Sequence, residues 1–138
     1  MMNREPSRLP LRVAVMNDDT AFLELMRELL EREEGFDVLI CREWENAYQF
    51  VKSERPDLVI LDIRMDGEEL GWTILNLLTL DPQTRRIPAI VCSAAVQSLH
   101  KHQPWLDKFG ICALPKPFDL EMLLEMVHRV LATHPRAD

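Results

Sequence analysis

Apolar residues along this chain follow two spacings in alternation. Short, nearly unbroken apolar runs fall at residues 12–16, 36–41, 58–61, 89–92 and 111–114. Between them, apolar residues recur every three or four positions, the spacing of a helix with one buried side. Phe22, Leu25, Met26, Leu29 and Leu30 make such a stripe over 20–33; Trp44, Ala47, Tyr48 and Val51 make one over 44–53. A third helix is expected over 71–80 and a fourth over 98–109. The fifth spans 119–132, with Leu120, Leu123, Leu124, Val127, Val130 and Leu131 on its face. Strands this uniformly apolar are buried on both sides, which is the habit of parallel sheets covered by helices. Five strands alternating with five helices therefore predict an α/β fold with right-handed crossovers. Asp18, Asp19 or Thr20 is placed to cap the first helix and Gly35 to stop it; Asp81-Pro82 ends the third and Asp119 caps the fifth. Pro104 falls inside the fourth helix, where proline costs about 3 kcal/mol. That helix is expected to be short, broken or restarted at Pro104.

The strand ends carry the candidate chemistry. The run Leu58, Val59, Ile60, Leu61 leads directly into Asp62. The first strand ends at Asn17-Asp18-Asp19, the fourth at Ser93 and the fifth near Lys116-Pro117. Open α/β sheets bind ligands at this carboxyl edge. A lone strand-end aspartate is more often a turn or cap residue, but here carboxylates, a hydroxyl and a lysine share one rim. Crowded carboxylates repel one another, and a hard divalent cation such as Mg²⁺ relieves this with oxygen ligands. Asp62 then has two open roles, metal ligand alone or nucleophile as well, since carboxylates form aspartyl-phosphates.

Composition narrows the classes. The 138 residues suit one domain, expected over 11–132, between tails at 1–10 and 133–138. With net charge −7 and no basic cluster, no nucleic-acid surface is expected. No apolar run approaches the roughly 18 residues of a membrane span, and the first ten residues lack a signal-peptide core. Cys41, Cys92 and Cys112 are odd in number and lack metal-ligand spacing. They read as small buried residues in a reducing compartment, so a cytoplasmic location is expected.

The ordered set Asp18, Asp62, Ser93 and Lys116-Pro117-Phe118 resembles the receiver domain of two-component response regulators, the CheY-like family. The resemblance covers about residues 11–131. It implies a flavodoxin-like (βα)5 doubly wound sheet with strand order 2-1-3-4-5. It implies that Asp62 is the phosphoacceptor, with Ser93 and Lys116 on the phosphoryl group. Mg²⁺ would be held by Asp18, Asp62 and the backbone carbonyl of Arg64, with Asn17 or Asp19 as a further ligand. The Lys116–Pro117 bond would be cis. The donor would be a histidine kinase or phosphotransfer protein, and the phosphoryl group would be relayed to a downstream protein partner. Such a domain is a signalling module, not an enzyme with its own substrate.

Departures from the family pattern favour an alternative, a pseudo-receiver that binds proteins without phosphorylation. Asn17 stands where the first acid is usual. Asp66 replaces a proline, and Gly71 comes nine residues after Asp62 where the family has eight. Ala113 stands where the family carries Tyr or Phe three residues before the lysine. Two enzyme-class or cofactor readings fail on the residues present. Haloacid-dehalogenase-type phosphatases need an aspartate where Arg64 stands, and Asn17-Asp18-Asp19 would repel a flavin phosphate. His100 and His102 lack a third metal ligand nearby, and His128 and His134 read as surface residues. Trp105 is either core or a partner-facing anchor. Met122 and Met126 flank the last leucine stripe as core edge or dimer edge, so a homodimer is one expectation.

Overall fold

A computed structural model describes residues 10–63 and 68–134. Its strands are β1 (Arg12–Met16), β2 (Asp37–Cys41), β3 (Leu58–Asp62), β4 (Ala89–Ser93) and β5 (Cys112–Pro115). Its helices are α1 (Thr20–Arg27), α2 (Trp44–Glu54), α3 (Glu68–Leu80), α4 (Val96–Lys108) and α5 (Leu120–Thr133). The strands form one parallel sheet in the order 2-1-3-4-5. This is the flavodoxin-like arrangement expected from the sequence, with its change of winding direction beside β1 and β3.

Alternate residues of each strand serve opposite faces. Ala14, Met16, Val59, Leu61 and Val91 pack with Trp44 and Val51 of α2, Leu75 and Leu78 of α3, and Leu99 and Leu106 of α4. Val13, Val15, Leu58, Ile60 and Ile90 pack on the other face, with Leu23 and Met26 of α1 and Leu123, Val127 and Val130 of α5. The central strands β1, β3 and β4 therefore have no solvent face, which is why their sequences show no polar alternation.

Two helices differ from expectation. The first keeps α winding only to Arg27 and continues as a π-helical stretch over Glu28–Glu33, whose one buried residue is Leu30. The fourth is not interrupted: α4 runs through Pro104. Pro104 and His100, the residue one turn earlier whose carbonyl loses its helical donor, are both exposed. Water can satisfy that carbonyl, so the proline is accommodated on the outer side of the helix.

One polar cluster pins α2 to the end of α3. The Tyr48 hydroxyl donates to Asp81, Lys52 approaches the same carboxylate at 3.2 Å, and the Gln83 N–H donates to it at 2.8 Å. Chiefly through the Tyr48 hydroxyl, then Gln83 and Lys52, the Asp81 carboxyl is held at about 2, below its ordinary 3.8. A depressed carboxyl stabilises the fold above its unfolded value and stops doing so as pH falls through its folded value. Asp81→Asn is thus expected to lower the thermal midpoint near neutral pH. Its difference from the parent should shrink as pH falls from about 4 to about 2. Melts followed by circular dichroism across that range check this; a gap that stays constant with pH would refute it.

Candidate functional site

The carboxyl ends of β1, β3 and β4 and the exit from β5 meet at one rim. Asp62 closes β3 and sits in register with Cys92 of β4. Its Oδ2 accepts hydrogen bonds from Lys116 Nζ at 2.7 Å and from Asn17 Nδ2 at 3.2 Å. The Asp62 side chain is 12% exposed and that of Lys116 33%. The pair is therefore shielded from water more than a surface ion pair, and its charges act more strongly on each other.

Asn17 is buried, and both ends of its amide are committed. Its Oδ1 accepts the Asp19 N–H at 2.8 Å, which leaves Nδ2 facing Asp62. The backbone N–H of Asn17 donates to Cys41 at 3.1 Å and holds the strand end in place. Asp19 caps α1: its Oδ1 accepts from Ala21 at 3.0 Å and Phe22 at 3.3 Å. Of the capping candidates Asp18, Asp19 and Thr20, Asp19 is the one that caps the helix. Asp18 is exposed at the mouth of the rim. Arg64, Met65, Asp66 and Gly67 lie outside the described residues, so the expected carbonyl ligand at Arg64 and the lengthened acidic loop do as well.

Ser93 is fully buried at the end of β4. Its hydroxyl accepts the Ala95 N–H at 2.9 Å, and its carbonyl accepts the Lys116 N–H at 2.9 Å. That second bond positions Lys116 over Asp62, and the Lys116–Pro117 bond is cis. Asn17, Asp62 and Lys116 are thus in direct contact, and Ser93 joins them through the backbone of Lys116. Cys92, beside Asp62, has its thiol pushed up to about 12 by burial and, next, by the Asp62 charge. It stays a protonated, inert core residue.

The donors suit a hard cation in part. Magnesium binds through one or two carboxylates and keeps several waters. Asp62 and the exposed Asp18 would supply carboxylates, and Asn17 sets a neutral amide against Asp62. Among the described residues there is no group of three or more acidic, histidine or cysteine side chains arranged to hold a metal, and His100 and His102 form none. Asn17→Asp is therefore expected to tighten Mg²⁺ binding by roughly tenfold or more. A unit charge at about 4 Å is worth about 4 kcal/mol at a surface-like dielectric, and tenfold requires only about 1.4. Without metal the same variant buries a second carboxylate against Asp62, so its melting temperature should drop in chelator and recover with Mg²⁺. Titration calorimetry and melts with and without Mg²⁺ test this; unchanged affinity would show that position 17 does not face the cation.

Two features of this region leave no trace in the sequence. One is the role of Asn17 as a donor to Asp62. The other is a contact between α3 and α4, where Trp72 stacks on His102 with ring centres 3.8 Å apart. Both depend on side chains brought together from distant elements, and local spacing carries no signal of either.

A parallel 2-1-3-4-5 sheet with an acid, an amide, a hydroxyl and a lysine at its carboxyl edge defines a flavodoxin-like fold with a polar site at its switch point. The family model described as the response regulator receiver domain matches residues 13–128. The chain belongs to that family, and so to two-component signal transduction. It is 30% identical to Protein PilH of Pseudomonas aeruginosa, across 88% of this chain and 98% of that protein. It is 32% identical to Response regulator MprA of Mycolicibacterium vanbaalenii, across 89% of this chain. That match takes in 51% of MprA, so this chain spans about half the length of that relative. Among solved structures, a putative response regulator from Chloroflexus aurantiacus matches with TM-score 0.74 and 27% identity, over 89% of this chain and 98% of that one. The non-phosphorylated HemR receiver domain of Leptospira biflexa shares the fold with TM-score 0.76 at 24% identity, over 92% and 99% of the two chains. Among the described residues no helix is long and apolar enough to cross a membrane.

Proposed function

We propose that this domain accepts a phosphoryl group on Asp62 from a phosphohistidine on a kinase or phosphotransfer protein, and passes the signal on by protein contacts. The observation that carries this reading is the Lys116–Asp62 contact at 2.7 Å, at a strand end mostly shielded from water. A carboxylate oxygen of Asp62 attacks phosphorus as the P–N bond to the donor imidazole breaks. The electron pair returns to the imidazole nitrogen, which takes its proton from water. Phosphoryl transfer depends chiefly on positioning and on charges placed around the transferring group. Lys116 supplies a fixed cation, and the Ser93 hydroxyl still has its proton to donate to a phosphoryl oxygen. Asp18 and Asp62 would hold Mg²⁺, which when bound neutralises charge on the phosphoryl oxygens.

One observation favours the second reading, a phosphorylation-independent binding module. Asp62 already has two donors on one oxygen, Asn17 and Lys116. That neutralises part of the charge that would draw a cation in. The test is intact mass after incubation with acetyl phosphate and Mg²⁺, against a chelator control, with the modified residue located by peptide mapping. A phosphoryl adduct on Asp62 that requires Mg²⁺ supports the acceptor reading. An unmodified chain under conditions that load other receivers supports the binding-module reading.

A further inference from the structure

Ala113 lies on the α4 side of the sheet, half-buried against the same cluster as Leu99, Leu106, Trp72 and Trp105. A side chain that reports a chemical event by moving needs at least two rotamers. Alanine has none, so strand β5 cannot carry a signal by a side-chain swing at this position. Two other mechanical links leave the Asp62 rim, and they converge.

The first runs through α3. Ile63 directly follows Asp62, and Gly71 packs so closely on it that a Cβ at position 71 would lie 2.7 Å from the Ile63 carbonyl oxygen. Any displacement of the Asp62–Ile63 backbone therefore presses on α3 at Gly71, one residue before Trp72. The second runs through α4. Its N-cap, Ala95, offers no side-chain acceptor to the helix, and the Ala95 N–H is held by the Ser93 hydroxyl at 2.9 Å. A turn of that hydroxyl towards a group on Asp62 would release the start of α4.

The two helices are joined just beyond these points. The Trp72 indole N–H donates to Ser98 Oγ, in the first turn of α4, at 3.2 Å. His102 Nδ1 donates to the Ser98 carbonyl at 2.8 Å, and its ring lies on Trp72 at an interplanar angle of 10°. Stacked rings and a half-buried hydrogen bond make a contact with a defined geometry, which is lost or kept as a unit.

We propose that this Trp72–Ser98–His102 contact is the element that reports the state of Asp62 to the outer face of α3 and α4. This rests on the acceptor reading and adds the route by which the signal leaves. Phosphorylation of Asp62 shifts the balance between a joined and a parted contact, and by linkage the contact must in turn affect how readily Asp62 is loaded.

The experiment uses the full chain labelled with ¹⁵N at its indoles. Trp44, Trp72 and Trp105 then give three reporters, of which Trp44 is fully buried in the α2 packing and serves as the reference. Beryllofluoride with Mg²⁺ stands in for the phosphoryl group, and its binding is read independently by fluorine resonance. The Trp72 indole signal is expected to move on loading while Trp44 stays. Ser98→Ala and His102→Ala are expected to bind beryllofluoride with a midpoint changed at least threefold. In the unloaded chain, Ser93→Ala should by itself move the Trp72 signal, since it removes the acceptor of the Ala95 N–H. Loading without movement of Trp72 beyond Trp44, or unchanged midpoints in both α4 variants, would overturn the proposal. An unmoved Trp72 signal in Ser93→Ala overturns the α4 route. Failure of beryllofluoride to bind the parent chain at all is a different result: it overturns the acceptor reading, and this proposal with it.

Discussion

Asp62→Asn is expected to take up no phosphoryl group under conditions that load the parent chain, while remaining folded. The amide has nearly the shape of the carboxylate but is not a nucleophile at neutral pH, so the P–O bond cannot form. The fold should survive because the variant leaves no buried charge unpaired: the amide is neutral, and Lys116 can turn to water, with a third of its side chain exposed. The remaining oxygen at position 62 can still accept a hydrogen bond from Lys116. A stability change of about 1 kcal/mol is expected, the size of one ordinary hydrogen bond. Intact mass measures the first effect and thermal melts the second. An adduct on the variant at the parent's level would place the acceptor elsewhere and remove the central assignment.

The second large effect is expected at Lys116. Lys116→Ala should slow phosphoryl uptake by roughly 100-fold, the usual consequence of losing one preorganised charge or donor from a transition state. The ammonium stands 2.7 Å from one carboxylate oxygen of Asp62. The Lys116 backbone is held in place by its N–H bond to the Ser93 carbonyl. Truncating the side chain leaves the backbone bond in place, so the β4–β5 edge should keep its geometry and the loss should fall on rate. A time course of adduct formation measures it, with Lys116→Arg as the conservative variant. Arginine restores the charge but not the compact point-like geometry, so a partial recovery is expected. Uptake at the parent's rate in Lys116→Ala would show that the pair is structural and that another cation serves the transfer.

Much of the site is legible in the sequence because its parts sit at strand ends, and strand ends show in the apolar runs. Asp62 follows four apolar residues directly, and Ser93 and Lys116 lie where runs stop. Helix capping is legible for the same reason: Asp119 accepts the Met122 N–H at 2.8 Å as expected, and Asp19, one of the three residues placed to cap the first helix, is the one that does so. The expectation of an interrupted fourth helix fails because the cost of proline depends on which side of the helix it occupies. At Pro104 that side faces water, and the lost donor is replaced by solvent. For Trp105 the sequence permits either core or partner surface. In the fold it is half-buried at the core edge, 5.1 Å from Phe109 and 6.5 Å from Trp72 between ring centres.

The α/β class, the alternation of strands and helices, and the identity of the residues at the carboxyl edge can all be read along the chain. All of these follow from local spacing, because burial on two faces or on one stripe leaves its mark on consecutive residues. What those residues do to one another was left to the folded arrangement. It set the amide of Asn17 and the ammonium of Lys116 against Asp62. It also drew Trp72 and His102 together from separate helices. Such contacts join residues from separate elements, and their geometry depends on the packing of whole elements across the sheet. Hydrophobic burial is nearly non-directional and can be read along the chain, whereas hydrogen bonds and ring stacks are directional and exist only once the elements are in place.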